Sequence, residues 1–161
     1  MIDFPKEIMD KFGGKDKQKQ GGKSSYGSKQ TEQTINPPKI VFRSNSQLRR
    51  ELLTSEAKEW SELLYDNSDG VTPTALRNFY NEVKALQSRI EAGGFQANEA
   101  MVGLLKSKAA YAYARAEKKR KTGFEYLKSM IEQGSDKSTS KEAFDDFALF
   151  FEAVMGFFKG R

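Results

Sequence analysis

The chain contains neither cysteine nor histidine. Without cysteine there are no disulfides and no thiolate metal sites, which fits a reducing compartment and sets a cytoplasmic expectation. Without histidine, the commonest general base near neutral pH and the commonest transition-metal ligand are both missing. Together the two absences exclude Ser-His and Cys-His nucleophilic arrangements. Carboxylates, lysine, tyrosine and serine are what remain for catalysis. No run approaches the roughly 20 apolar residues of a membrane span, and the opening Met-Ile-Asp-Phe-Pro-Lys-Glu lacks the apolar core of a signal peptide. Neither a membrane nor a cofactor is expected. No stretch of any length alternates apolar with polar residues, so the fold class read from the pattern is all-α.

Anions are scarce in one region. From Met101 to Lys128 there are eight cations and only two anions, Glu117 and Glu125, a net +6 in a chain of formal charge +5. Such concentration favours an anionic partner, either nucleic acid or an acidic protein surface.

The apolar residues fall at helical spacing from about residue 46 onward. Leu48, Leu52, Leu53, Ala57, Trp60, Leu63 and Leu64 form one series, ending in the turn cluster Asp66-Asn67-Ser68-Asp69-Gly70. Thr72 and Pro73 are an N-cap and a first helical residue. Leu76, Phe79, Tyr80, Val83, Leu86 and Ile90 give the next buried stripe, and Gly93-Gly94 ends it. A third helix is expected over about Asn98–Lys119 and a fourth over Thr122–Gln133. Gly134–Ser140 reads as a polar linker, and Thr139 with Glu142 as a capping box. The last helix, Lys141–Lys159, carries Phe144, Phe147, Phe151, Val154, Met155 and Phe158 on one face, with Phe150 and Phe157 off it. A helix apolar over most of its girth is either central in a bundle or covered by a second molecule. The expected architecture is a small bundle of about five helices over residues 46–161. Residues 1–45 form a flexible basic tail, because 13–39 have almost nothing apolar to bury. Phe4, Ile8, Met9 and Phe12 could make a short amphipathic turn, and Ile40-Val41-Phe42 a short extended segment.

The third helix carries the candidate binding residues. Each residue turns about 100°, so Leu104, Leu105 and Ala112 share one face. Gly103, Ser107, Ala110 and Ala114 lie roughly opposite and present nothing bulky. Lys108, Tyr111 and Arg115 form a seam between these faces, bordered by Lys118. A cationic-aromatic seam suits a phosphate backbone and its bases; lysines reaching to water from an ordinary bundle helix are the simpler alternative. The candidate RNA contacts are Arg77, Lys106, Lys108, Tyr111, Arg115, Lys118, Lys119, Arg120 and Lys121. Tyr111 and Tyr113 are the stacking candidates, because cations flank them. On the last helix Glu142, Asp145, Asp146 and Glu152 are the only carboxylates that suggest a metal-dependent nuclease. They lack the Glu-x-x-His partners of helical metal sites, so no enzyme is expected.

Three segments occur in a distinctive order: Thr72-Pro73-Thr74-Ala75-Leu76-Arg77, the helix with Tyr111 and Arg115, and Glu152-Ala153 followed by Phe157-Phe158-Lys159. Together they resemble the small subunit of type III-A CRISPR effector complexes, the Csm small subunit, over about residues 54–160. Ala75 stands where that family often has lysine, and Thr-Pro-Thr replaces its Thr-Thr-Ser. The resemblance implies a helical bundle without a catalytic site. It also implies copies stacked beside the backbone and large subunits, lining a groove for guide RNA and target RNA in antiviral defence. Arg77 and Arg115 match its motif positions. The small subunit of type III-B complexes and a helical adaptor for an acidic protein remain alternatives.

Overall fold

The computed structural model describes residues 35–65 and 69–158, all within one compact unit. The expected tail up to residue 34, the Asp66–Ser68 part of the turn cluster, and Lys159 lie outside the described residues. Among the described residues two short strands, β1 (Arg43–Ser44) and β2 (Gln47–Leu48), precede six α-helices. These are α1 (Arg50–Leu53), α2 (Ser55–Leu64), α3 (Pro73–Gly93), α4 (Glu99–Arg115), α5 (Lys121–Lys137) and α6 (Lys141–Phe157). α1 is a single turn, so the bundle has five substantial helices. The strands pair antiparallel, Arg43 with Leu48 and Ser44 with Gln47. Asn45 and Ser46 between them have φ of 50° and 64°, the left-handed pair that a tight two-residue hairpin requires.

The helix boundaries follow local chemistry. Thr72 accepts a hydrogen bond from the Ala75 N–H at 3.2 Å, and Pro73 opens α3. Gly94, at φ 89°, ends it, a backbone setting that glycine adopts without a Cβ clash. α6 is capped by Ser140, whose Oγ accepts from the Ala143 N–H at 3.1 Å; the expected Thr139 cap is displaced by one residue. α4 stops at Arg115 rather than Lys119. Ala116 and Glu117 are extended there, with ψ of 143° and 144°, and a short 3-10 turn over Lys118–Arg120 leads into α5. α5 in turn runs on through the expected linker to Lys137.

α6 is the centre of the bundle. Phe144, Phe147, Phe150 and Phe151 are all fully buried, so the off-face Phe150 is covered by the bundle itself. α6 packs against α2, α3 and α5. Only Leu149 and Phe157 among its large apolar residues stay open, at 40% and 39% exposure. Trp60, Leu76, Val83, Leu127 and Ile131 complete the core around it.

The core also takes in part of the expected tail. Ile40 and Phe42 are buried, and Phe42 stacks on Phe147 with ring centroids 6.4 Å apart. The Gln133 side-chain amide holds this strap as a neighbouring strand would. Its Oε1 accepts from the Ile40 N–H at 2.8 Å, and its Nε2 donates to the Pro38 carbonyl at 3.0 Å. Arg43 donates to both carboxylate oxygens of buried Asp146, at 2.6 and 3.0 Å, and pairs with Glu142 at 3.1 Å. The packed domain therefore begins before residue 46. Two apolar residues in a polar stretch cannot announce partners about a hundred positions away.

Candidate nucleic-acid interface

α3 and α4 run side by side with opposite polarity. Leu86 and Arg89 of α3 line one groove with Met101, Leu104 and Leu105 of α4. Farther along, Phe79 and Glu82 line a second recess with Lys108, Tyr111 and Ala112. This register puts the first turns of α3 beside the last turn of α4. The α4–α5 turn is tied to the same end: the Arg120 guanidinium donates to the Gly70 carbonyl at 2.7 Å. Gly123 permits that approach, because a Cβ there would lie 2.9 Å from the Val71 nitrogen. Arg115, Lys118 and Lys119 thus lie where the end of α4 adjoins the start of α3. Arg77 lies in the first turns of α3, on a side turned away from the Phe79, Glu82 and Leu86 face that meets α4.

The nine candidate residues divide by what they touch. Arg77 and Lys118 are exposed and make no ion pair among the described residues. Lys119 has only a loose contact to Glu117 at 3.9 Å, with both side chains more than half exposed. Arg115 has no carboxylate partner among the described residues. Its guanidinium lies over the Tyr111 ring, 5.4 Å from the centroid, and donates to the Tyr111 hydroxyl at 2.8 Å. Lys106 lies apart: it pairs with Asp136 of α5 at 2.6 Å, and that hydrogen bond raises its pKa above the ordinary lysine value. Lys108 spans the recess to Glu82 at 2.8 Å. Lys121 donates to the Tyr113 and Ala114 carbonyls at 2.6 and 2.9 Å. It thereby closes the C-terminal end of α4, where orphan carbonyls attract cations. Arg120 and Lys121 are consequently parts of the frame that holds the turn.

The expected apolar face of α4 is corrected at Leu104. Val102, Leu105 and Ala109 are its buried residues, while Leu104 is 41% exposed. The small-residue side is largely open, and a Cβ on Gly103 would meet nothing within 4 Å. The two tyrosines differ as well. Tyr111 is 62% exposed, whereas Tyr113 packs partly against the core. The Lys121 and Lys128 ammonium groups approach the Tyr113 ring at 4.7 and 5.7 Å. Within the seam of Lys108, Tyr111 and Arg115, the i, i+4 spacing brings Tyr111 and Arg115 into direct contact.

Three of the four α6 carboxylates are held by cations, and Glu152 is exposed without an ion pair among the described residues. Asp146 and Glu142 engage Arg43, and Asp145 accepts from Gln87 at 3.0 Å and Lys141 at 2.9 Å. Among the described residues no group of three His, Cys, Asp or Glu side chains could hold a metal. No helix among them is long and apolar enough to cross a membrane.

A helical bundle with cations on its surface that are unpaired among the described residues, Arg115 and Lys118 among them, has the form of a binding or scaffolding module. The family model described as Csm2 Type III-A matches residues 47–160. The chain belongs to that family, the small subunits of type III-A CRISPR effector complexes, and so to an assembly with other subunits. No curated protein and no solved structure matches the chain significantly.

Proposed function

We propose that this small subunit is non-catalytic and holds RNA in the effector complex through the phosphate backbone, without reading sequence. The observation that supports it best is the shared end of α3 and α4, where Arg77, Arg115 and Lys118 lack acidic partners among the described residues. Cations already satisfied by a carboxylate gain little from phosphate, whereas these are free to exchange water and counterions for it. Lysine and arginine meet every phosphate alike, so sequence is left to guide pairing. Guide and target RNA are the partners of this end. The open Met101, Leu104, Leu149 and Phe157 side chains are the surfaces for further copies of the chain and for the backbone and large subunits. A non-enzymatic role accords with the ion-paired Glu142, Asp145 and Asp146 of α6.

Fluorescence anisotropy on two unrelated single-stranded RNAs, at several salt concentrations, tests the reading. Replacing Arg77, Arg115, Lys118 and Lys119 together by glutamine should weaken both RNAs alike. The salt slope should fall by roughly 0.7 for each phosphate that is no longer neutralised. Lys106→Gln, which removes a cation already paired with Asp136, should change the slope little. Arg77→Gln alone should do less than Arg115→Gln, since the family's neighbouring lysine is Ala75 here. If the quadruple variant, shown by circular dichroism to be folded, binds both RNAs as the unmodified chain does, the cationic end is only a solvated surface. Binding to a polyacidic protein but to neither RNA would favour the adaptor reading instead.

A further inference from the structure

We infer that Tyr111 is a stacking platform for one unpaired nucleobase, with Arg115 placing a positive charge against the ring; this rests on the RNA reading above and adds a base contact to it. Three observations converge. Tyr111 is the most exposed large hydrophobic side chain among the described residues, at 62%. Its ring stands at the side of an open recess whose other lining includes Phe79, Ser107 and Ala112. Phe79 is itself 8% exposed, so the recess has a second aromatic ring in its lining, bordered by the Lys108–Glu82 ion pair. The Arg115 guanidinium is fixed by its hydrogen bond to the Tyr111 hydroxyl, 2.8 Å away, and sits 5.4 Å from the ring centroid.

An exposed aromatic ring is costly in water, and an arginine without a carboxylate partner attracts an anion. A ligand that offers both a π-face and an adjacent negative charge satisfies the pair together. A nucleotide within a single strand is such a ligand: the base lies on the ring and its phosphate meets the guanidinium. Tyr113 does not offer the same platform, because it is packed partly against the core. The contact tolerates any base, since each has a π-face, and so it does not conflict with sequence-independent binding.

The test uses the full chain, a short oligouridine, and the same strand with abasic sites. Tyr111→Ala should weaken oligouridine binding about 5- to 100-fold, the span that one stacked base covers, with the salt slope unchanged. Tyr111→Phe keeps the ring and should stay within about two-fold of the unmodified chain. On the abasic strand the unmodified chain and Tyr111→Ala should bind equally. Tyr111→Trp should report the stack directly, through emission quenched by oligouridine and not by the abasic strand; Trp60, 1% exposed, gives a constant background. Oligouridine binding that survives Tyr111→Ala but falls in the quadruple charge variant would overturn the stack and leave the phosphate reading standing. Binding that survives both would overturn both. Equal quenching of Tyr111→Trp by the two strands would also overturn the stack.

Discussion

Gly134→Ala separates local preference from tertiary constraint, because the two predict opposite signs. Gly134 sits in the last turn of α5. Helix propensity alone favours alanine there by about 1 kcal/mol. A Cβ built on Gly134, however, overlaps the Phe147 ring. The ring has nowhere to retreat. It is fully buried, stacked on Phe42 at 6.4 Å, and in edge contact with Phe144 and Phe151, each at 6.1 Å between centroids. Forcing extra volume into such a core costs about 1–3 kcal/mol, and this overlap belongs at the upper end. The net expectation is a loss of about 2 kcal/mol. Gly103→Ala is the matched control: the same change in α4, with nothing within 4 Å of the new methyl, should stabilise by up to about 1 kcal/mol.

Urea unfolding followed by circular dichroism at 222 nm reads both variants on one scale. Phe147→Ala opens the space that the new methyl needs. On its own it should cost about 3–5 kcal/mol. Combined with Gly134→Ala it should cost less than the sum of the two, with a coupling of about 1 kcal/mol or more. If Gly134→Ala stabilises the chain as Gly103→Ala does, the close packing of α5 on α6 is wrong at this point.

Phe42→Ala should destabilise the domain by about 3 kcal/mol in the same urea assay, since the ring is 7% exposed and stacked on Phe147; an unchanged midpoint would place the strap outside the core. Acid should weaken the α3–α6 contact through Asp145. Partial burial pushes its pKa up, but the hydrogen bonds from Gln87 and Lys141 and the Lys141 charge outweigh this and leave it below the ordinary carboxylate value. A depressed pKa gives stability that is complete above the unfolded-state value, near 4, and that fades as pH falls through the folded-state value. Asp145→Asn should therefore flatten the fall in urea midpoint below about pH 4, and an identical acid profile in both proteins would refute this.

Where partners are close in sequence, the fold is readable from it. Thr72-Pro73 and Gly93-Gly94 mark α3 because caps and breakers act within one turn. The stripe from Leu76 to Ile90 needs only its own periodicity. The misreadings fall where a partner is distant. Gly134-Ser135-Asp136-Lys137 has the composition of a linker, yet it is helical because Gly134 fits under Phe147 and Ser135 donates to the Val102 carbonyl at 2.7 Å. Periodicity puts Leu104 on the buried face with Leu105, but α4 rotates to bury Val102, Leu105 and Ala109. The break after Arg115 is hidden by strong helix formers on both sides. It is held by Lys121 and Arg120, cations whose capping role depends on carbonyls brought near by the turn itself.

The same distinction governs the candidate interface. Counted along the sequence, Met101–Lys128 is a uniform cationic stretch. In three dimensions its charges have three fates. Lys106 and Lys128 are matched by Asp136 and Glu132 of α5, and Lys108 by Glu82 of α3. Arg120 and Lys121 are engaged by backbone carbonyls, which fixes their position without cancelling their charge. Arg115, Lys118 and Lys119 remain for a ligand, joined by Arg77 from outside the stretch. Residues bound to carbonyls still contribute to the field around this end, and the last group is the one least engaged by partners within the chain. A net charge of +6 thus overstates the number of cations left open to a ligand while describing the field fairly. Composition could point to an anionic partner, but the division between attraction and contact required the helices to be placed.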